Sequence, residues 1–317
     1  MKIILSAFVE NFFLKYAVLF LSLFFLANSS LSEEIYSKNY DGIIAREELS
    51  DGSTVELTTP QLNIIAKRKS IKNGWTIKIS GKSKKSSFDK IYRFANVTDY
   101  PEDILIINLD PKNLSPEIMF SAFTGGAHCC SLPVFLSETS TGTWRFIAYP
   151  MIDGGPPRLE DIDQDGSAEI ITVDQSFLYA FDCYACSYAP YRIQQLRGGK
   201  FVDITKTALG LKKLELQLEE METEAERNPI LWRSNGFLGA WVALKSILGQ
   251  GQDAWKKMLL LYDRSDKKNN FGTYECSDRK IKVFDCPSEK LILIPFPIAL
   301  EDHLKKEGYW DKSIDNP

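Results

Sequence analysis

The residues best suited to chemistry are acidic side chains at alternating positions of one short segment. This segment contains Asp161, Asp163, Asp165, Gly166, Ser167 and Glu169. Oxygen ligands at this spacing suit Ca²⁺, which takes about six to eight oxygens at roughly 2.3 to 2.6 Å, and the glycine permits the sharp turn that such a loop needs. We therefore expect a calcium site with the four carboxylates and the backbone carbonyl of Ser167 as ligands.

The spacing differs from that of an EF-hand. An EF-hand loop ends with a glutamate at its twelfth position, where this chain has Thr172, and the sequence does not predict a helix on each side of the loop. The prediction is therefore a nine-residue calcium loop that lies between two strands. The alternative is a solvated acidic turn that binds no ion.

The same segment carries a family resemblance. PRLEDIDQDGSAEIITV resembles an FG-GAP or VCBS-type repeat, in which a D-x-D-x-D-G-x-x-D/E loop joins two strands of a propeller blade and binds Ca²⁺. The resemblance implies a structural calcium site that Asp161, Asp163, Asp165 and Glu169 would form. The wider span, from GGAHCCS to GFLGAWVALKSILGQGQDAWKKMLLLYDR, also resembles a group of uncharacterised exported bacterial proteins, which implies no particular activity.

A degenerate copy of the loop lies upstream, from Asn108 to Ile118. It follows the same pattern with one residue inserted, and its Glu117 precedes Glu169 by 52 residues, a spacing typical of propeller blades. Because Lys112 replaces an acidic residue, we expect no metal in this copy.

The cysteines form a second group of potentially reactive side chains. They are Cys129, Cys130, Cys183, Cys186, Cys276 and Cys286. An even number of cysteines in an exported protein is typical of disulfides. Because the first two pairs follow the two loops at similar offsets, we expect cross-links between these segments and a separate Cys276–Cys286 bridge. Disulfide geometry disfavours a bond between adjacent cysteines.

Two alternatives would give these cysteines a chemical role. His128 with Cys129, Cys130, Cys183 and Cys186 could bind zinc or copper, although the spacing does not match a standard zinc module. The Cys183-Tyr-Ala-Cys186 segment could also be a redox pair, but such pairs normally begin a helix beside a βαβ unit.

No catalytic motif stands out. The sequence contains no G-x-S-x-G, H-E-x-x-H, P-loop or dinucleotide-binding glycine pattern, and His303 falls in a predicted surface helix. Pairs of carboxylates suited to hydrolysis are numerous, but spacing alone selects none of them. We predict a non-catalytic binding or structural protein, with a secreted hydrolase as the alternative.

The elements that position these residues change in type near Thr205. Before it, an Asn73-Gly74 turn and short alternating apolar segments predict an antiparallel β domain over residues 33–205, either a sandwich or a partial propeller. After it, apolar residues at spacings of three and four predict a small helical domain over residues 206–317. The expected fold class is α+β.

The N-terminus has the layout of a signal peptide over residues 1–32. Lys2 and Lys15 precede the apolar run YAVLFLSLFFLA, which is shorter than the roughly 20 residues that span a bilayer. We expect cleavage before Glu33, a periplasmic or secreted protein and no stable membrane span after cleavage. The net charge of −4 argues against nucleic acid, so the expected partner is an envelope or extracellular protein or a glycan.

Overall fold

The computed structural model describes residues 43–113, 115–264, 273–278 and 280–310. The predicted signal peptide over residues 1–32 lies outside the described residues. No helix in these ranges is both long and apolar enough to cross a membrane.

The described part contains strands and helices of the following bounds. The strands are β1 (Ile43–Leu49), β2 (Thr54–Thr58), β3 (Leu62–Ile71), β4 (Gly74–Ser83), β5 (Ser87–Ala95), β6 (Glu102–Ile107), β7 (Glu117–Phe120), β8 (Cys129–Ser131), β9 (Val134–Glu138), β10 (Trp144–Ala148), β11 (Ile152–Asp153), β12 (Arg158–Glu160), β13 (Glu169–Val173), β14 (Tyr191–Arg197), β15 (Lys200–Asp203), β16 (Tyr274–Cys276) and β17 (Leu291–Leu293). The helices are α1 (Ala208–Arg227), α2 (Asn235–Ile247), α3 (Gly251–Leu261) and α4 (Phe296–Lys306).

These strands form three main antiparallel sheets. The first sheet has the order β2-β3-β4-β5, the second β1-β6-β7-β9-β10 and the third β12-β13-β14-β15. Two small pairs, β8 with β11 and β16 with β17, complete the described sheets. The Asn73-Gly74 turn joins β3 to β4 as the sequence predicts, with Ile71 opposite Gly74.

The three sheets stack face to face. One core lies between the first and second sheets and includes Trp75 and Phe120, and another lies between the second and third sheets and includes Phe135 and Ile170. The second sheet is therefore the middle layer. Because a strand covered on both faces has no polar side, β6 ends in the continuous buried run Ile104–Ile107 instead of alternating.

The helices cover the remaining face of the third sheet. Leu214 and Leu218 of α1 share a core with Ile171 and Ile193 of that sheet. The side chain of Thr207 accepts a hydrogen bond from the backbone N–H of Gly210 and caps the start of α1. The fold class is α+β, with antiparallel sheets followed by a mainly helical C-terminal part, as predicted.

The start of α2 packs closely against the segment that contains Cys183 and Cys186. An ideal Cβ on Gly236 would contact the backbone carbonyl of Cys186 and would lie 2.9 Å from the Cβ of Asp182. We expect Gly236→Ala to lower the free energy of unfolding by about 1 to 3 kcal/mol, because a backbone atom cannot move aside as easily as a side chain. Thermal unfolding measures this loss.

Gly155→Ala is the matched control for this substitution. A Cβ at Gly155 would meet no atom within 4 Å. We expect the control to change the free energy of unfolding by less than about 0.5 kcal/mol. A stabilised Gly236→Ala protein would show that α2 and the neighbouring turn can separate at little cost.

Candidate functional site

The predicted calcium loop connects two neighbouring strands of the third sheet. β12 and β13 are antiparallel, and Glu160 lies opposite Glu169 at the end nearest the loop. Within the loop, Gln164 and Gly166 have φ values of 60° and 90°. These left-handed residues let the chain reverse within a few positions, so alternating acidic side chains can approach one centre.

Three of the predicted ligands converge. One carboxylate oxygen from each of Asp161, Asp163 and Glu169 lies within 4.8 Å of the other two. Asp165 is outside this group, and its Oδ1 accepts a hydrogen bond from the backbone N–H of Ser167 at 2.8 Å. The oxygens of Asp161 also accept hydrogen bonds from the backbone N–H groups of Asp165 and Gly166, at 3.0 and 2.9 Å. Backbone hydrogen bonds to these carboxylates thus hold the loop in its turn.

Glu169 is the buried member of the group. Its side chain accepts hydrogen bonds from the backbone N–H of Ile162 at 3.0 Å and from Nε2 of Gln195 at 2.7 Å. Burial raises the pKa of Glu169, the nearby charges of Asp163 and Asp165 raise it further, and the hydrogen bonds oppose this rise. A divalent cation at the three carboxylates would compensate the mutual repulsion of these charges.

The degenerate loop places Glu117 in a corresponding position. Glu117 begins β7 as Glu169 begins β13, and both residues are buried. One oxygen of Glu117 accepts hydrogen bonds from the backbone N–H groups of Leu109 and Asp110, and the other accepts from Nδ2 of Asn113 at 2.6 Å. Amide groups and the hydroxyl of Ser137 are therefore the hydrogen-bond donors around this carboxyl group.

The two loops are in direct contact. Nδ2 of Asn108 donates to the backbone carbonyl of Gly166 at 2.6 Å and to Oγ of Ser167 at 3.2 Å. The carbonyl of Asn108 accepts from the backbone N–H of Ala168 at 2.8 Å. Sequence reasoning assigned no role to Asn108 beyond its place in the degenerate copy. It supports the acidic loop from the neighbouring sheet, and its position at the start of that copy is the sequence signal for this contact.

The six cysteines form three disulfides, each within its own segment. The bonds join Cys129 to Cys130, Cys183 to Cys186 and Cys276 to Cys286. The predicted Cys276–Cys286 bridge is confirmed. The predicted cross-links between the first two segments are wrong.

The reason lies in the side chains that fill the contact between these segments. The His128 ring stacks on the Tyr184 ring with a centroid distance of 3.6 Å, and Nε2 of His128 lies 2.8 Å from the hydroxyl of Tyr179. The similar offsets therefore correctly predicted that the segments are neighbours. Because Tyr184 lies between Cys183 and Cys186 and occupies the contact, an aromatic stack takes the place of the expected disulfides.

His128 is also part of a chain of hydrogen bonds. Its Nδ1 lies 2.7 Å from Oδ1 of Asp153, and about a quarter of each side chain is exposed. Tyr179, at the other end of the chain, has a φ of 61°, which a large side chain rarely adopts. The Sγ atoms of Cys129 and Cys130 and a carboxylate oxygen of Asp153 lie within 4.8 Å of one another. In the disulfide state these sulfurs offer no thiolate, so a zinc or copper site here would require reduction.

His303 lies in a structural network between α4 and the third sheet. His303 lies in α4, where the sequence predicts a helix; it is half-buried there, and this burial lowers its pKa. Its Nε2 lies 3.2 Å from Oγ of Ser176, which donates to Oδ1 of Asp174 at 2.7 Å. Arg192 and Tyr309 also donate to Asp174. The aspartate thus contacts the serine and not the histidine, which is not the order of a Ser-His-Asp triad.

Comparison with known proteins finds a family match in the C-terminal part and two relatives whose similarity covers about two thirds of the chain. Residues 214–308 match the family described as the sll0997 C-terminal domain. The chain is 39% identical over 207 residues to "Uncharacterized protein y4bJ" of Sinorhizobium fredii, a match that covers 65% of this chain and 32% of that protein. It is 32% identical over 215 residues to "Probable thylakoid lumen protein sll0997" of Synechocystis sp., which covers 64% of this chain and 59% of that protein.

The chain therefore spans less than two thirds of the length of either of these curated relatives. No solved structure matches it. The similarity to the sll0997 C-terminal domain begins inside α1 and extends just beyond α4, so it covers the helices that pack on the third sheet.

Proposed function

We propose that this protein is an exported, disulfide-stabilised, calcium-binding protein with a non-catalytic binding or structural role in the cell envelope. The observation that carries the proposal is the convergence of Asp161, Asp163 and Glu169, whose carboxylate oxygens lie within 4.8 Å of one another. A bound Ca²⁺ would hold the turn between β12 and β13, with backbone carbonyls and water as further ligands.

The corresponding places of Glu117 and Glu169 support the proposed FG-GAP or VCBS-type repeat. Each residue begins an inner strand of its sheet after an Asp-containing loop, and the two sheets are consecutive layers of the stack. In this proposal the first repeat has kept the turn and replaced the ion with the amide of Asn113. The second repeat has kept the ion.

Two observations support export. Three disulfides are typical of an oxidising compartment, and one relative carries the name of a probable thylakoid lumen protein. We infer a periplasmic or secreted location, with an envelope or extracellular protein or a glycan as partner. Native mass spectrometry of the exported protein after alkylation of free thiols tests the compartment, because an oxidised protein would carry no alkyl group.

The melting temperature with and without calcium tests the proposed ion. An ion at about one hundred times its Kd adds roughly 2.7 kcal/mol to the free energy of unfolding, which is about 4 °C for a chain of this size. Asp163→Ala should abolish this increase. The matched control is Asp253→Ala, which removes an exposed carboxylate of α3 and should keep the full increase.

The outcomes of this experiment differ clearly. If wild-type protein melts at the same temperature in calcium and in chelator, the ion does not bind. If Asp163→Ala lowers the melting temperature equally in both conditions, Asp163 has a structural role and is not a ligand. Calorimetric titration with Ca²⁺ should give one site per chain for the wild type and for the control.

A second candidate function is a metal site at His128. It is favoured by the proximity of Cys129, Cys130 and Asp153 ligand atoms and by the hydrogen bond between Asp153 and His128. A dithiol reductant would convert the disulfide into two thiols, which suit zinc or copper(I). Metal analysis of protein prepared with and without the reductant tests this function, and a metal content that reduction does not change would exclude it.

A further inference from the structure

The outer face of the first sheet is basic, although the whole chain is acidic. From Thr54 to Ala95 the sequence contains ten Lys and Arg residues and two acidic residues, a formal net charge of +8, whereas the full chain has −4. The basic side chains on the face turned away from the second sheet are those of Lys67, Lys69, Lys78, Lys82 and Arg93. We call this surface the basic face.

Strand register brings like charges together on the basic face. Lys67 lies directly opposite Lys78 across β3 and β4, an arrangement that destabilises a sheet. Lys78 forms an ion pair with Asp89 at 2.9 Å. Among the residues that the structure describes, Lys67, Lys69 and Arg93 form no ion pair. The acidic residues on the same face are Glu56 and Asp89, so the five cations leave it a net charge of +3.

Two isoleucines are exposed among these cations. Ile65 of β3 and Ile91 of β5 are 45% and 66% exposed. Ile91 lies opposite Lys78. Ile65 lies between Glu56 and Ser80, and Ser80 is itself opposite Asp89. The face thus carries exposed apolar side chains among five cations and two carboxylates. Ten-residue strands make it about 33 Å long.

The opposite end of the molecule is acidic. Helix α1 covers the far side of the third sheet, so the first sheet and α1 are the two outer layers of the stack. The outward residues of α1 include Glu215, Glu219, Glu220 and Glu226, all of which are exposed. This charge separation would turn the basic face toward an anionic surface and α1 away from it.

We propose that the basic face docks on a bilayer that contains anionic lipids. Lysines near such a surface are attracted by its negative potential, and exposed apolar side chains can enter the boundary between headgroups and acyl chains. A bilayer matches two properties of the face together: its positive charge and its exposed isoleucines. The contact is peripheral and is independent of the calcium loop, which lies in the third sheet.

Sedimentation with lipid vesicles tests this proposal. The exported protein, at one fixed calcium concentration, is mixed with phosphatidylcholine vesicles or with vesicles that also contain phosphatidylglycerol. We expect binding to be at least about tenfold stronger with the anionic lipid and to weaken as salt is added. The neutral vesicles measure any adsorption that does not depend on charge.

Two double variants and a matched control locate the contact. Lys67→Glu with Lys69→Glu should weaken binding to anionic vesicles by at least about tenfold. Ile65→Ser with Ile91→Ser should weaken it several-fold at constant charge. The control, Lys200→Glu with Lys212→Glu, changes the net charge equally on exposed residues of β15 and α1 and should bind as the wild type does. Circular dichroism and melting curves establish that each variant is folded.

Three results would overturn the proposal. Equal binding to neutral and anionic vesicles would show that charge does not direct docking. Equal loss in the lysine variant and its control would show that net charge matters and the basic face does not. Concentration-dependent self-association that the lysine variant abolishes, without binding to anionic vesicles, would assign the face to the acidic α1 of a second copy.

Discussion

Replacing Arg68 with alanine is expected to lower the free energy of unfolding by about 3 to 4 kcal/mol. Arg68 belongs to β3 of the first sheet and is 2% exposed. Its Nη1 donates to the backbone carbonyls of Leu49 and Tyr100, at 2.7 and 2.6 Å, and its Nη2 donates to Asp99 at 2.7 Å. The guanidinium also lies 4.4 Å from the centre of the Trp75 ring.

The large loss of stability in Arg68→Ala has two causes, a lost hydrogen bond between two sheets and a new cavity. Leu49 lies in the second sheet, so Arg68 connects two layers through a carbonyl that no other described side chain bonds. The substitution removes the donor of that carbonyl and leaves a cavity beside Trp75. Lysine would restore the charge but not the several directed N–H groups of the guanidinium, so Arg68→Lys should recover only part of the loss.

Urea unfolding compares this variant with Arg93→Ala. Arg93 lies on the outer face of the same sheet, and its removal should change the free energy of unfolding by less than about 0.5 kcal/mol. If Arg68→Ala is no less stable than Arg93→Ala, the connection between the two layers does not depend on the buried guanidinium.

The second large expected effect is a dependence of the free energy of unfolding on pH, which arises from Glu117. Burial raises the pKa of Glu117 to about 7, against the lowering effect of its hydrogen bonds from Leu109, Asn113, Ser137 and Asp110. The folded protein therefore holds a proton at pH values between about 4.5 and 7 that the unfolded chain releases. The contribution of Glu117 to the free energy of unfolding is complete below about pH 4.5 and is lost as the pH rises to about 7. The total loss is about 3 kcal/mol.

His303 also titrates in part of this pH range, and its effect on the free energy of unfolding has the opposite sign. Burial lowers the pKa of His303, so its contribution increases as the pH rises toward 6.5. The measurement is therefore the difference between wild type and Glu117→Gln in urea unfolding across pH 4 to 8. Glutamine has nearly the same shape but does not titrate, so this difference should change by about 3 kcal/mol across the range.

The absolute stability of Glu117→Gln is a separate quantity. Its amide group would face some of the donors that now surround the carboxylate, which costs about 1 to 3 kcal/mol at every pH. A difference between the two proteins that stays constant from pH 4 to 8 would show that Glu117 has the same ionisation in the folded and unfolded chains.

Local patterns predicted the elements well. The helix over Leu214, Leu218 and Met221 and the hairpin at Asn73-Gly74 are both present, because a helix or a tight turn depends on residues a few positions apart. The alternation in β3 also places Arg68 on the same inward face as Ile64 and Ala66. A charged residue among inward-facing apolar residues indicates that its side chain makes buried hydrogen bonds, as Arg68 does with the carbonyl of Leu49.

Pairings between distant residues could not be predicted in the same way. Similar offsets correctly predicted that the Cys129–Cys130 and Cys183–Cys186 segments are neighbours, yet each disulfide formed within its own segment. Which side chains meet depends on backbone direction at both segments, and in this fold His128 and Tyr184 meet. The spacing of residues along the sequence does not specify the backbone direction at these segments.

The sequence by itself determined the α+β class, the mainly helical C-terminal part, the Cys276–Cys286 bridge and the spacing of the acidic loop, since all of these depend on short-range patterns. Tertiary structure alone decided the stack of three sheets, the contact of Asn108 with the acidic loop and the concentration of Lys67, Lys69 and Lys78 on one outer face. These features depend on strand register and on the order of the layers, which arise only when distant segments pack together.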